Sequence, residues 1–334
     1  MITSIFAVLS ASLAVDLVEG TPVHADRTKP HILFVLQDDL GRYNVAFNAD
    51  RTDKPSADVR AVSPQLTMLA KQGITLDRHY VHWHCSPTRR SLLTGRVPLH
   101  HGEELSGIAT DDIDLRWTTI GQKLEGVGYK SHWYGKGHTG YMSMNHLPHR
   151  IGFSSGHLGF LSGAMSYHGE ARWKEELPFR STEYSTQLYG EAAVSALKAH
   201  DPNDPLFMYL PWQAVHEPYT APPGYNASAQ NCDHYSDACV LYGMLHVADG
   251  YVGRLASLLH AKGMWETTLL IFSADNGTQP SANSLAPTRP TTRQCLRSPS
   301  TLPTPTRTST ATPLGRRSTG SMCGRSSQRA LHPK

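Results

Sequence analysis

Cys85 opens a segment that could carry nucleophilic chemistry. It reads Cys-Ser-Pro-Thr-Arg-Arg-Ser-Leu-Leu-Thr-Gly-Arg, and two histidines, His82 and His84, precede it. A helix that begins near the proline would place Cys85 at its N-terminus, where the helix dipole favours a thiolate, and Arg89 one turn further on. A buried structural cysteine is the alternative, and it is the commoner fate of a single cysteine. The basic neighbours favour a reactive group.

Two pairs of oxygen-bearing side chains follow apolar runs that are typical of buried strands. Asp38 and Asp39 follow one run, and Asp275 and Asn276 follow another. Together they form a hard, anionic ligand set that suits Ca²⁺ or Mg²⁺, and Ca²⁺ is favoured because it accepts more ligands in looser geometry. The alternatives are a solvated strand end for the aspartate pair and a plain turn for the second pair, since Asn-Gly is a strong turn signal.

Cationic and imidazole side chains complete a candidate site for an anionic substrate. Lys136 offers a compact charge, and Arg89 offers a fork that matches an oxyanion. His138 and His216 can exchange protons near neutral pH. Solvated surface cations and structural histidines are the alternatives, and we expect the latter role for the remaining histidines of a chain that contains 19.

The elements that must position these residues alternate along the chain. We predict strands at 31–37, 74–81, 129–134, 206–210 and 268–272, and helices at 63–72 (Ser63 as its cap, Pro64 in its first turn), 89–93, 118–125, 184–199 and 237–259. This order predicts an α/β fold with a mostly parallel sheet and helices on both faces. Sites in such sheets lie beyond the carboxyl ends of the strands. The residues just after predicted strands are Asp38, Asp39, Lys136, His216 and Asp275.

The segment at Cys85 resembles the signature of the sulfatase family, C-x-P-x-R followed by T-G-R. Four other segments resemble that family's motifs and occur in its order: Asp38-Asp39-Leu40-Gly41, Gly135-Lys136-Gly137-His138, His216-Glu217-Pro218 and Asp275-Asn276-Gly277. The resemblance covers residues 30–277 and is closest to arylsulfatases of the extracellular or lysosomal kind. It implies an alkaline-phosphatase-like sandwich, with a mostly parallel central sheet flanked by helices, and a sulfuric ester hydrolase.

The resemblance also implies a mechanism. A formylglycine-generating enzyme would oxidise Cys85 to formylglycine, whose aldehyde hydrate attacks the sulfur of a sulfated small molecule or carbohydrate. His216 would protonate the leaving alcohol, and His138 would take a proton from the second hydroxyl. Arg89 and Lys136 would hold the sulfate. The implied ligands of Ca²⁺, or less favourably Mg²⁺, are Asp38, Asp39, Cys85, Asp275 and Asn276.

The sequence changes character after residue 277. Residues 277–334 contain no Asp, Glu, Phe, Tyr, Trp, Ile or Val, and they are rich in Ser, Thr, Pro and Arg. Such a composition cannot bury enough apolar surface to fold, so we expect residues 278–334 to be a disordered, low-complexity tail. Residues 26–277 would form an incomplete sulfatase N-terminal catalytic domain, without the family's further catalytic lysine and smaller C-terminal domain. This change in composition has two explanations: a basic linker, or a shifted reading frame or mis-assigned exon.

The N-terminus predicts a secretory route. The apolar run at 5–15 is too short to span a bilayer, and small residues around residue 24 fit a signal peptide over residues 1–25. A mis-assigned N-terminus is the alternative, because no Lys or Arg precedes the run. Secretion, or delivery to a lysosomal-type compartment, would make Asn226 a glycosylation site and would allow a disulfide between Cys232 and Cys239. The net charge of +3 argues against nucleic acid as a partner, and we expect no stable membrane span.

Three other functions compete with an active sulfatase. A catalytically inactive member is suggested by the missing C-terminal part. A phosphatase or phosphodiesterase of the same superfamily fold would use Ser or Thr as its nucleophile, so Cys85 argues against it. A zinc site built from His82, His84 and Cys85 lacks a second ligand pair at suitable spacing.

Overall fold

A mixed sheet with a parallel centre organises the chain. The computed structural model describes residues 29–49, 62–101, 112–140, 142–169, 171–225, 237–278 and 294–295. The strands are β1 (His31–Gln37), β2 (Lys130–Lys136), β3 (Gly156–Phe160), β4 (Ala171–Lys174), β5 (Leu177–Arg180), β6 (Leu206–Trp212), β7 (Thr268–Ala274) and β8 (Gln294–Cys295). Their order in the sheet is β5-β4-β3-β2-β6-β1-β7-β8.

The five central strands, β3, β2, β6, β1 and β7, all run parallel. Strands β4, β5 and β8 add antiparallel edges. Every residue of β6 is buried, as expected for a parallel strand covered on both faces. The predicted class, an α/β fold with a mostly parallel sheet, is confirmed.

Helices cover both faces of the sheet. They are α1 (Ala46–Ala49), α2 (Pro64–Gln72), α3 (Cys85–Thr94), α4 (Pro98–His101), α5 (Ile120–Glu125), α6 (Ser185–Ala199) and α7 (Asp237–Ala261), with short 3-10 turns at Arg42–Asn44, Met144–His146, Pro148–Ile151 and Trp265–Thr267. Alternate residues of β1 serve two cores: Leu33 and Val35 pack with α2, α6 and α7, whereas Phe34 and Leu36 pack with α3 on the other face. This alternation follows from the two-residue period of a strand.

One predicted strand is wrong, and several real ones were not predicted. Residues 74–81 contain only an isolated bridge at Tyr80, and Ile74 is 55% exposed, because Asp77, Arg78 and His79 interrupt the apolar residues that a buried strand would need. Strands β3, β4 and β5 escaped prediction because they are short and rich in glycine or polar residues. The other predicted strands and helices are present, with ends that differ by a few residues.

Helix α2 begins at Pro64, as predicted, but Ser63 does not cap it. The Ser63 hydroxyl instead accepts a hydrogen bond from the Ala46 amide at 3.1 Å. The cap comes from Asp249 of α7, whose carboxylate accepts from the amides of Gln65 at 3.0 Å and Leu66 at 2.7 Å. A helix end is therefore satisfied by a residue distant in sequence.

Several predictions fall partly or wholly outside the described residues. The signal peptide at 1–25 and the sequon at Asn226 lie there. Cys239 is disulfide-bonded, but Cys232, its expected partner, lies outside. Of the tail, the structure describes Thr278 and the two residues of β8, which pair with β7. The described residues belong to one unit, Met1–Thr301, and the second unit, Leu302–Lys334, is not described.

None of the described helices combines the length and apolar character that crossing a bilayer requires.

Candidate active site

The register of the central strands brings the Asp38–Asp39 pair and the Asp275–Asn276 pair together. Gln37, the last residue of β1, lies beside Ala274 of β7 on one side and Trp212 of β6 on the other. The residues that follow, Asp38 and Asp275, therefore leave the sheet as neighbours. The Asp275 amide donates to the Gln37 carbonyl at 3.1 Å, which extends the ladder into the site.

Helix α3 carries the candidate nucleophile, Cys85, at its first position. His84 precedes the helix in an extended conformation, and Gly95 ends it in the left-handed region at φ 70°, where a residue without a Cβ is favoured. Cys85 is the first helical residue, a free and fully buried thiol. Arg89 follows four residues later, so both side chains lie on the same helix face. The helix is longer than the predicted 89–93 and includes the cysteine itself.

Two buried cations contact the carboxylates beside Cys85. The Lys136 ammonium lies 2.7 Å from Asp38 Oδ2. The Arg89 guanidinium donates from Nε and Nη2 to Asp275 Oδ2 at 3.0 and 2.8 Å, and its Nη2 lies 3.3 Å from Asp38 Oδ1. Cys85 Sγ also donates to Asp38 Oδ1 at 3.3 Å. All of these side chains are inaccessible to solvent, so the charges face one another in a low dielectric.

Burial and neighbouring charges shift the pKa values of these groups. Burial would raise the pKa of Asp38, but Lys136 and Arg89 overcome that effect and lower it. For Asp275, burial and the nearby Asp38 carboxylate raise the pKa to about 6. Burial, reinforced by the same two carboxylates, raises the pKa of the Cys85 thiol. The carboxylates of Asp38, Asp39 and Asp275 outnumber the two cations, Lys136 and Arg89. This excess of negative charge favours the binding of a further cation.

The donor set fits a hard divalent cation. Ligand atoms of Asp38, Asp39, Cys85 and Asp275 all lie within 4.8 Å of one another. Asn276 Nδ2 donates to Asp39 Oδ1 at 2.6 Å, whereas the buried Asn276 Oδ1 has no hydrogen-bond partner. A buried amide oxygen without a donor is costly, and a cation would satisfy it.

His138 lies beside this centre in an unusual conformation. Its backbone has φ 56°, a left-handed conformation that costs about 1 kcal/mol or more in a non-glycine residue. Burial, followed by the charges of Lys136 and Arg89, lowers the pKa of His138 to about 2. Its ring meets the ring of His84 edge-on, with centroids 5.6 Å apart. His138 is thus held neutral next to two cations.

His216 approaches from the loop after β6. Its Nε2 lies 3.7 Å from Asp39 Oδ2, and its side chain keeps partial access to solvent. Its Nδ1 donates to the Glu217 carbonyl oxygen at 2.5 Å, which leaves Nε2 facing the carboxylates. His216 also belongs to a second possible metal-ligand group with Asp38 and Cys85.

The structure brings together every residue that the sequence nominated for the site. The sequence did not single out His84 as a neighbour of His138, or Tyr167, whose hydroxyl donates to the His216 carbonyl at 2.8 Å. Neither lies in a position that strand order or motif spacing would reveal. The alternative zinc site is not supported, because the possible metal-ligand groups among the described residues include neither His82 nor His84.

Known proteins with similar sequences belong to one family. The family model described as Sulfatase matches residues 30–300. Arylsulfatase J of Mus musculus is 30% identical over 282 residues, which cover 77% of this chain and 44% of that protein. N-acetylgalactosamine-6-sulfatase of Homo sapiens is 26% identical over 280 residues, covering 74% of this chain and 50% of that protein. The chain therefore spans about half the length of these relatives.

A solved structure has the same fold. The structure of Ps i-CgsB in complex with k-i-k-neocarrahexaose superposes with a TM-score of 0.68 and 26% sequence identity, over 75% of this chain and 59% of that one. The superposition confirms the predicted sandwich architecture.

Proposed function

The chain belongs to the sulfatase family, and on that premise we propose that it hydrolyses sulfate esters with residue 85 as the source of its nucleophile. The observation that carries the proposal is the convergence of Cys85, Arg89 and Lys136 on one buried acidic centre. In the proposed reaction a sulfate ester enters this centre, its S–O bond to the alcohol breaks, and the alcohol leaves.

The two cations are suited to bind the sulfuryl group. Lys136 and Arg89 are fully buried, and their hydrogen-bond donors converge from β2 and α3. Charges fixed in a dry site stabilise developing negative charge far better than charges in water do. We expect them to hold the equatorial oxygens of the sulfuryl group during transfer.

Residue 85 and a divalent cation complete the proposed chemistry. Asp38, Asp39, Asp275 and Asn276 would hold Ca²⁺, or less favourably Mg²⁺, which would polarise the sulfate oxygens. As formylglycine, residue 85 would supply an aldehyde hydrate whose oxygen attacks sulfur. A formylglycine-generating enzyme would make this modification before the chain folds, since Cys85 is fully buried in the folded protein.

The two histidines serve opposite proton transfers. His216 is partly open to solvent, where the leaving alcohol must emerge, so it would donate the proton to that oxygen. In the second step the buried His138 would accept the proton of the second hydroxyl of residue 85 while the C–O bond to the sulfate breaks, so that the aldehyde re-forms and sulfate leaves. Because the two imidazoles lie in different environments, one can act as proton donor and the other as proton acceptor.

Substrate and compartment follow from the family. The relatives include an arylsulfatase and an N-acetylgalactosamine-6-sulfatase, and the solved neighbour holds a neocarrahexaose. We propose a sulfated small molecule or carbohydrate as substrate. The disulfide at Cys239 supports the secretory pathway, ending in secretion or a lysosomal-type compartment, because disulfides persist in oxidising compartments.

A catalytically inactive sulfatase-like protein is the second candidate. Its support is that no lysine like the family's further catalytic lysine is recognisable from Thr278 onward. A loss of this cation would weaken the hold on the sulfate and on the leaving group. The first candidate is favoured because every other nominated residue is in place.

Turnover of an aryl sulfate by the full chain, co-expressed with a formylglycine-generating enzyme, separates these candidates. We expect release of the phenol by the wild-type chain with Ca²⁺ and none by the Cys85→Ala variant. Equal rates for the two proteins would remove the proposed role of residue 85. Hydrolysis of the matching aryl phosphate in preference to the sulfate would favour a phosphatase instead.

A further inference from the structure

A tyrosine outside the sequence motifs ties down the loop that carries His216. The Tyr167 hydroxyl lies 2.8 Å from the carbonyl oxygen of His216 and 2.8 Å from that of Gln213. The Gln213 side chain returns a hydrogen bond from Nε2 to the Met165 carbonyl at 2.8 Å. Two loops that are distant in sequence are therefore joined directly at the candidate proton donor.

Tyr167 is itself fixed in place. It is 1% exposed, and its ring stacks on Tyr184 with centroids 5.1 Å apart and an interplanar angle of 14°. Its carbonyl accepts from the Ser185 amide at 2.9 Å, at the start of α6. The hydroxyl thus projects from a rigid support rather than from a free loop.

The other side of the His216 loop is joined to the acidic strand end. The Val215 amide donates to the Asp38 carbonyl at 2.8 Å, and the Asp38 amide donates to the Ala214 carbonyl at 3.0 Å. His216 therefore follows a segment held from two sides, by Asp38 and by Tyr167. Of these two anchors, the hydroxyl of Tyr167 is the one that reaches the backbone of His216 itself.

We infer that Tyr167 is a positioning residue that fixes the backbone of His216, so that its imidazole stays within reach of the departing oxygen. This inference rests on the proposed function of His216 as proton donor. Loss of the hydroxyl removes the donor to the His216 carbonyl oxygen and one of the two donors to the Gln213 carbonyl oxygen, so the segment from His216 to Pro218 is held from the Asp38 side alone. A misplaced donor slows a reaction even when every reacting group is present.

Substrates whose leaving groups differ in basicity test whether Tyr167 acts through His216. An alkyl or sugar alcohol needs a proton as it leaves, whereas nitrophenolate does not. For Tyr167→Phe we expect kcat to fall about tenfold with an alkyl or sugar sulfate and less than about threefold with nitrophenyl sulfate, at unchanged KM. In a His216→Ala background, Tyr167→Phe should change kcat by less than about twofold. Tyr184→Phe, which removes the hydroxyl of the stacked ring, is the matched control.

Hydrogen exchange provides a readout that does not depend on turnover. The His216 amide donates to the Gln213 carbonyl at 2.9 Å, so amides of the 213–218 segment report whether the loop is held. We expect Tyr167→Phe to speed their exchange about tenfold relative to the wild type and to Tyr184→Phe. Unchanged exchange would overturn the inference whether or not the wild type turns over. An equal loss of kcat for all leaving groups, or an additive loss in the His216→Ala background, would also overturn it.

Discussion

The Lys136 ammonium and the Asp38 carboxylate lie 2.7 Å apart and are both sealed from solvent. A buried pair of this kind is not a simple source of stability, because desolvating both charges offsets their attraction. In the proposed function, the pair holds a cation where the sulfate ester would bind. The buried Asp38 carboxylate needs a neighbouring cation to stabilise its charged form, either the Lys136 ammonium or a bound metal ion.

Lys136→Ala should therefore destabilise the metal-free protein strongly. Removing one partner leaves Asp38 as an uncompensated buried charge, which typically costs about 3 kcal/mol or more. Ca²⁺ should reduce this loss, because it restores a cation beside Asp38. Urea unfolding with EDTA and with Ca²⁺ measures both effects. Lys198→Ala, at an exposed position on α6, is the control, and equal stability of the two variants in EDTA would contradict the prediction.

Gly163→Ala should impair catalysis with little change in the thermal midpoint. A Cβ at Gly163 would lie 2.6 Å from Cε1 and 2.7 Å from Nε2 of His138, so the imidazole must move. We expect kcat to fall about tenfold, since a small displacement of a catalytic group has effects of this size. Gly250→Ala on α7, where an added Cβ meets no atom within 4 Å, is the matched substitution. An unchanged kcat would show that His138 tolerates displacement.

The protein should lose stability as the pH falls from about 6.5 towards 4. Burial, and to a lesser extent the charge of His200, lowers the pKa values of His31 and His132 to about 4. The unfolded chain therefore binds protons in this range that the folded protein excludes, and stability present above pH 6.5 is lost on acidification.

The contribution of His132 can be isolated by substitution. Between pH 7.5 and pH 5 it should account for about 2 kcal/mol of the loss, from the difference between the folded and unfolded pKa values. Urea unfolding of His132→Gln should show a correspondingly weaker pH dependence than the wild type. His100→Gln, at an exposed position, should leave the dependence unchanged. Parallel curves for wild type and His132→Gln would contradict this prediction.

Asp249→Ala should destabilise the fold more than Asp249→Asn. The carboxylate accepts from two backbone amides at the start of α2, and the alanine variant leaves both unsatisfied, at a cost of about 2 kcal/mol. Burial raises the pKa of Asp249 to about 6, so the neutral asparagine also avoids burying a charge above that pH. Denaturant midpoints at pH 7.5 would rank the variants, and the reverse order would refute this assignment of the cap.

The fold was predictable where a strand can be recognised from its own residues as a continuous apolar run. The buried apolar runs of β1, β6 and β7 are continuous because both faces are covered, and their order with the helices indicated a parallel sheet. The run at 74–81 has Asp77, Arg78 and His79 between its apolar residues, and it stays at the surface instead of forming a strand. The edge strands β4 and β5 have only four residues each, which is too short for a strand pattern to be recognised.

The site was predictable for residues that follow strands and less so for those placed by loops. Asp38 and Asp275 meet because β1 and β7 are neighbours in register, which the motif order anticipated. Tyr167 meets His216 through the path of two loops, and sequence spacing does not encode that path. The sequence marks His84 as a basic neighbour of Cys85, but it does not show that the His84 ring meets the ring of His138 edge-on.

The most direct test is sulfate release measured against the aldehyde content of residue 85. Preparations of the full chain with different degrees of modification, quantified by tryptic mass spectrometry, would be assayed with Ca²⁺, after EDTA and after Ca²⁺ is restored. We expect the rate to rise in proportion to the aldehyde fraction, to fall with EDTA and to return with Ca²⁺. A fully modified, calcium-loaded protein that releases no more sulfate than Cys85→Ala would contradict the proposed function.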